Sequence, residues 1–185
     1  MAEQLKQLDL YIFYFFNHTL STGILDLFFS FITNVRHWLP VYVIGLLFLA
    51  IKGGRKGRIA AVLVLLLVTT TDQLGARVIK EIFQRLRPCN ALPDVLTPLG
   101  CTGTFSFPSN HALNNFAVAV FFSMLYQKAK WYLYAAAAFI AISRVYLGLH
   151  YPSDVLGGAI IGAGFGYLFS MLYYRVEKFI SKKYD

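Results

Sequence analysis

What this chain can fold into is limited first by its apolar stretches, which are long, closely spaced and separated only by short polar islands. Residues 38–51, 59–86, 109–126, 131–149 and 153–174 each carry a largely apolar run. Of the 185 residues 57% are hydrophobic and 14% charged, and the mean hydropathy of +0.57 is too high for a soluble domain of this length. In a bilayer each backbone N–H and C=O must find its partner within the chain, which favours helices. The expected fold is therefore all-α, a polytopic membrane helix bundle with about five to six transmembrane helices and short N-terminal helices. Residues 1–185 should form a single domain, because each apolar segment is needed for one bundle.

Residues 8–33 are apolar but broken by Asn17, His18, Thr19, Ser21, Gly23 and Asp26, so no uninterrupted run of about twenty residues exists there. Two short helices are expected, either lying in the interface or passing through as one broken crossing. A polar break at 34–37 leads to Trp38, suited to an interfacial anchor, and the segment it opens is short for a span. Segment 59–86 is strongly apolar as far as Val68 and then polar through Thr69, Thr70, Thr71, Asp72 and Gln73. At about 1.5 Å per residue it outruns a bilayer of roughly 30 Å and should project from it. In the last segment Gly158, Gly162 and Gly166 recur at four-residue spacing, which permits close helix packing in lipid. The N-terminus contains Glu3 and Asp9 and lacks a basic region followed by a small-residue cleavage site, so no removable signal peptide is expected.

Basic residues set an orientation. If the segments beginning at Trp38, Ile59, Ser109, Trp131 and Ser153 each cross, then the loop 52–58, the turn with Lys128 and Lys130, and the tail with Arg175, Lys178, Lys182 and Lys183 share one side. That side should be the cytoplasm. Much of the formal net charge of +8 is then orientation, and nucleic-acid binding is not needed to explain it. The cations left over, Lys80, Arg85, Arg87 and Arg144, fall on the opposite side together with His111 and His150.

Three polar islands lie on that outer side. At 143–154 a helix ends, a turn intervenes and another helix begins. Arg144 is a permanently charged fork, His150 can be nucleophile or base, and Asp154 is placed to fix an imidazole tautomer. Because Tyr151 precedes Pro152, the next helix should restart near Pro152 or Ser153 with Asp154 in its first turn. At 107–111, Ser109 reads as the N-cap of a helix whose free amides favour an anion. The third island, 80–88, carries Lys80, Arg85 and Arg87. Each island alone fits a capped helix end with snorkelling cations. Together they describe a pocket with cationic forks, a hydroxyl, backbone donors and two imidazoles, which matches a phosphoryl group.

The pattern Lys80-x6-Arg87-Pro88, Pro108-Ser109-Asn110-His111 and Ser143-Arg144-x5-His150-x3-Asp154 resembles the three-part signature of the type 2 phosphatidic acid phosphatase superfamily. The likeness covers residues 59–166, and Asn110 stands where the family usually has Gly. It implies that His150 attacks phosphorus and forms a phosphohistidine, with Asp154 accepting its other ring N–H. His111 would protonate the leaving group and then activate water. Lys80, Arg87, Ser109, Asn110 and Arg144 would bind the phosphate, an Asn side chain adding a donor. Arg85 falls outside the motif and is assigned to lipid headgroups. No metal or other cofactor is implied, since Asp72, Glu81 and Asp154 are not spaced as ligands and the cationic pocket supplies the charge. Asp72 should pair with a neighbour such as Asn114 or Asn115.

A site at the outer ends of membrane helices suits a phosphorylated lipid as substrate, with the bilayer as partner and no obligate protein partner. The expected location is the bacterial inner membrane, with the site facing the periplasm. Phosphatidic acid, phosphatidylglycerol phosphate, undecaprenyl pyrophosphate and lipid A 1-phosphate are candidates, with a lean to the last. A lipid transporter or binding scaffold without chemistry is the competing class, disfavoured because carriage needs no paired His150 and Asp154. Peroxidase chemistry on vanadate, as in a relative of the fold, fits a membrane-embedded chain poorly. Cys89 and Cys101 share the outward loop, where a disulfide would hold two islands at a set separation, the alternative being two buried thiols.

Overall fold

The computed structural model describes the backbone of residues 2–184 and the side chains of 3–182; Met1 and Asp185, and the side chains of Ala2, Lys183 and Tyr184, lie outside. The described residues form helices α1 (Ala2–Tyr14), α2 (Gly23–Thr33), α3 (Val35–Ile51), α4 (Gly54–Gln73), α5 (Lys80–Phe83), α6 (Pro88–Ala91), α7 (Asn110–Leu125), α8 (Lys130–Tyr146) and α9 (Pro152–Tyr184). Thr22 caps α2 and Asn34 caps α3 through their side chains, which explains why the polar break is a corner between two helices. A π turn, Phe15–Thr19, extends α1, and another, Leu74–Ile79, joins α4 to α5. The second turn matters for the site: its extra residue rotates the downstream helix by about 100° around the axis and so redirects Lys80.

The N-terminal segments α1 and α2 pack on the ends of α8 and α9, and α7 runs through the middle of the bundle between α4, α8 and α9. Its contact with α9 is very close. A Cβ at Gly158, Gly162 or Gly166 would run into the carbonyl oxygens of Ser109, Leu113 and Ala117, so the glycine ladder is a backbone-to-backbone contact of the kind its spacing suggested. A second cluster, Ala60, Leu63, Val64 and Leu67 of α4 against Ala117, Phe121 and Tyr173, fills the other side of α7. With no water to expel between helices in lipid, this tight fit carries the packing energy.

Two helical stretches, Gly54–Ala91 and Pro152–Lys182, are long and apolar enough to cross a membrane, or three if the α2–α3 pair, bent by 42°, counts as one span. Helices α7 and α8 have 16 and 17 residues and do not reach that measure. Helix α7 lies among other helices, and it carries Asn114, Asn115 and small residues where a lipid-facing span would carry leucine. The outward faces of the bundle are strongly apolar, with Ile24, Ile44, Phe48, Val62 and Ile160 each more than half exposed. Lys56 pairs with Glu177 at 3.8 Å, which brings the basic loop 52–58 beside the basic end of α9. The motif residues gather at the other end of the helices.

Candidate active site

Each site residue is placed by a local backbone device. Helix α8 stops at Tyr146, earlier than the expected 149, because Gly148 takes φ +74° and the amides of Leu149 and His150 turn back to the Arg144 carbonyl. That reversal carries His150 into the bundle. Tyr151 precedes Pro152, α9 begins at Pro152, and Asp154 lies in its first turn, as the sequence suggested. Gln84, in the left-handed region at φ 44°, ends α5, and Arg87 is extended before Pro88, so Arg85 and Arg87 leave the helix axis and Arg87 is buried in the bundle.

These residues line one cavity of about 510 Å³, walled by Lys80, Arg87, Asn110, His111, Arg144 and His150 and covered by the strap Thr102, Gly103, Thr104 and Phe105. Lys80, Arg87, Ser109, His150 and Asp154 are all buried. Arg87 donates to the Thr104 carbonyl, to Thr104 Oγ1 and to the Leu149 carbonyl. Lys80 donates to the carbonyls of Phe105 and Ser106. Arg144 donates to Thr33 Oγ1 at 2.9 Å. The strap itself is tied down by the Cys89–Cys101 disulfide and by Asn90, whose amide donates to the Thr102 carbonyl at 3.1 Å.

The His150 ring has a defined orientation. Arg87 Nη1 lies 2.9 Å from Nε2, and since a guanidinium only donates, Nε2 is the accepting nitrogen. The proton is then on Nδ1, which faces Asp154 Oδ2 at 3.6 Å, beyond hydrogen-bond range. Burial first, and then the charges of Arg87, Arg144 and Lys80, push His150 well below its usual 6.5, so the imidazole is neutral with a lone pair on the cavity side.

Four buried side-chain atoms have no hydrogen-bond partner among the described residues: Ser109 Oγ, Asn110 Oδ1, Arg144 Nε and His150 Nδ1. All four belong to motif residues. Polar atoms left unpaired in this way are costly unless a ligand completes them.

The sequence placed Ser109 as N-cap and it occupies that position, but its hydroxyl makes no capping bond and is buried without a partner. Asn110 differs from expectation. Its amide donates to the carbonyl and to Oδ1 of Asp72, so it offers the cavity no side-chain donor. Asp72 also accepts from Asn114, the expected kind of partner, whereas Asn115 turns to the His111 carbonyl. Arg85 is a correction: its guanidinium pairs with Asp9 and Asp154 rather than reaching for headgroups, because both carboxylates lie within 2.7 Å. Sequence reasoning missed Asp9, Asn17, Thr33 and Thr104. Buried Asn17 bonds both the Leu96 backbone and the Tyr146 carbonyl, fastening the loop after α6 to the end of α8. The signal available was a polar residue inside an otherwise apolar helix.

Comparison with known proteins bears on the same residues. The sequence pattern of the PAP2 superfamily matches residues 61–178. A lipid A 4'-phosphatase of Bacteroides thetaiotaomicron is 32% identical over 95% of this chain and 81% of its own length. The crystal structure of a transmembrane PAP2 type phosphatidylglycerolphosphate phosphatase from Bacillus subtilis superposes with TM-score 0.74 at 28% identity, covering 94% of this chain and 88% of that one. Aquifex aeolicus LpxE gives 0.68 at 27% identity, covering 88% and 94%.

Proposed function

The chain belongs to the PAP2 superfamily, and from that premise we propose that it is a metal-independent lipid phosphatase working through a phosphohistidine on His150. The observation that carries the reading is the convergence of Lys80, Arg87, His111, Arg144 and His150 on one cavity, with Arg144 Nε and, next to the lining residue Asn110, Ser109 Oγ buried without partners. A phosphoryl group has the charge and the acceptors to complete the donors in this set. With three cations already lining the cavity, its own side chains supply the charge stabilisation that a metal would otherwise provide.

The phosphate displaces Arg87 from Nε2, freeing the lone pair. Nε2 attacks phosphorus, the N–P bond forms as the P–O bond to the lipid breaks, and His111, which takes up a proton once the phosphate dianion lies beside it, gives that proton to the departing oxygen. Asp154 closes on Nδ1–H as the imidazolium develops. Neutral His111 then takes a proton from water, whose oxygen attacks phosphorus and releases His150. Lys80, Arg87, Ser109 and Arg144 hold the equatorial oxygens throughout, assisted by the amide end of α7.

The substrate we infer is a phosphate carried on lipid A. Likeness to a lipid A 4'-phosphatase over 95% of the chain moves the preferred position from the 1-phosphate to the 4'-phosphate. Phosphatidylglycerol phosphate is the second reading, favoured by the fold of the Bacillus subtilis enzyme. Five crossings, made by α3, α4, α7, α8 and α9, put loop 52–58 in the cytoplasm and the cavity at the periplasmic face of the inner membrane. A cysteine at Gly54 should then be shielded from an impermeant thiol reagent in intact cells. Phosphate release from purified lipid A 1- and 4'-phosphates, phosphatidylglycerol phosphate and undecaprenyl pyrophosphate, in detergent with excess chelator, tests the function. Release from none of them sinks the reading.

A further inference from the structure

Arg85 lies outside the phosphate-binding set, yet it links the reacting histidine to the N-terminal helix. Its Nη1 donates to Asp154 Oδ1 and to Ser153 Oγ, and its Nη2 to Asp9 Oδ2, each at 2.7 Å. The guanidinium lies 3.9 Å from the ring centroid of Tyr151, next to His150. Asp9 is itself pinned, accepting from the Ser153 amide at 2.8 Å and from Ser153 Oγ at 2.6 Å. Asp154 is fully buried, and its other oxygen accepts the Tyr151 amide at 2.9 Å while facing His150 Nδ1. Arg85 therefore fixes the plane of the one carboxylate that faces the nucleophile.

We propose that Arg85 and Asp9 are positioning residues for this reaction: the Asp9–Arg85 pair sets how much of the Asp154 charge His150 feels, and makes α1 a working part of the active site. The inference rests on the assignment of His150 and Asp154 above. Without Arg85, the Asp154 carboxylate loses a cation and is free to close the 3.6 Å gap to Nδ1, making His150 more basic. Without Asp9, Arg85 has one carboxylate partner instead of two and bears more heavily on Asp154, making His150 less basic. Two members of one ion-pair chain should thus act with opposite signs, which loss of packing alone would not produce.

The charged groups facing His150 are Arg87 and Lys80 from the first island, Arg144 of α8, His111 of α7 and Asp154 of α9. Of these, Asp154 is the one that Arg85 contacts, at 2.7 Å. The experiment tracks the His150 imidazole by NMR in the histidine-labelled protein in detergent, assigned with His150→Gln, alongside the pH profile of phosphate release. Arg85→Met should raise the titration midpoint by about 0.5–1 unit and lower kcat about tenfold or more at little-changed KM. Asp9→Asn should lower the midpoint, Arg85→Lys, which keeps the charge but not the two-pronged bridge, should shift it less than Arg85→Met, and Asp9→Asn should have no effect in the Arg85→Met background. If Arg85→Met fails to fold, the downward shift in Asp9→Asn decides. An active wild type whose variants titrate unchanged and lose only thermal stability overturns the inference alone. Shifted titrations in a chain that hydrolyses no lipid would instead overturn the phosphatase reading and leave the charge coupling standing.

Discussion

Replacing both Cys89 and Cys101 by serine removes a cross-link between residues separated by 12 in sequence. For a closed loop of about 12 residues the chain-entropy estimate gives about 3 kcal/mol at 25 °C. In a chain of this size that corresponds to a loss of about 6–12 °C in Tm if the whole bundle shares it. The functional effect comes from the contacts the loop holds. Just past Cys101, the strap supplies the Thr104 carbonyl and hydroxyl to Arg87 and the Phe105 and Ser106 carbonyls to Lys80. A freed strap leaves two phosphate-binding cations with less firmly fixed acceptors, while Asn90 to Thr102 and Ser106 to Arg85 and Leu86 still tie the loop. KM should rise about tenfold with a smaller change in kcat, because ground-state and transition-state phosphate lose the same positioning. The assay is thermal unfolding and phosphate release by the double serine variant, with wild type in strong reductant as a second route to the same state. Unchanged Tm and unchanged kcat/KM in both would refute the reasoning.

Gly162→Ala should destabilise the protein by about 1–3 kcal/mol and lower activity, since its Cβ meets the Leu113 backbone of the helix that carries His111, whereas Gly164→Ala, with open space beside it, should be neutral; thermal unfolding of the pair checks this. Activity should survive excess chelator and be inhibited by vanadate as a phosphate mimic, and loss on EDTA that Mg²⁺ restores would contradict it. The depressed basicity of His150 keeps it neutral through pH 6.5, so kcat/KM should fall only at more acid pH, and Arg87→Met should move that fall upward. By the same sign the unfolded chain binds more protons than the folded one below pH 6.5, so stability should drop as the solution is acidified through that range.

Much of the site could be read from residues that act through their own backbone. Pro152 fixes where α9 starts, Ser109 opens α7, and the spacing of Gly158, Gly162 and Gly166 names the face of α9 that approaches α7. Asp72, a carboxylate within an apolar helix, pointed to a partner on a neighbouring helix and has one in Asn114. The features that escaped a reading of the sequence depend on contacts between distant segments. Arg85 looked like a surplus surface cation because its partners, Asp9 and Asp154, are 76 and 69 residues away. Asn17 read only as an interruption of the apolar stretch 8–33, Asp9 only as an acidic residue near the N-terminus, and Thr33 drew no reading at all. They are polar because that stretch closes over the motif-bearing end of the bundle and meets the backbone and charges of the site. The π turn at Leu74–Ile79 has no local pattern of its own beyond Gly75, which gives Asn110 room to lie against it.

The central claim is that the phosphoryl group passes through His150. It is tested most directly by trapping that species in His111→Ala, where water is no longer activated, using p-nitrophenyl phosphate, whose leaving group needs no protonation. The account predicts that alkaline denaturation during turnover leaves phosphate on His150 in close to one copy per chain, located by mass spectrometry, with none in His150→Ala. Phosphate on another residue, or turnover by His150→Ala near the wild-type rate, would contradict it.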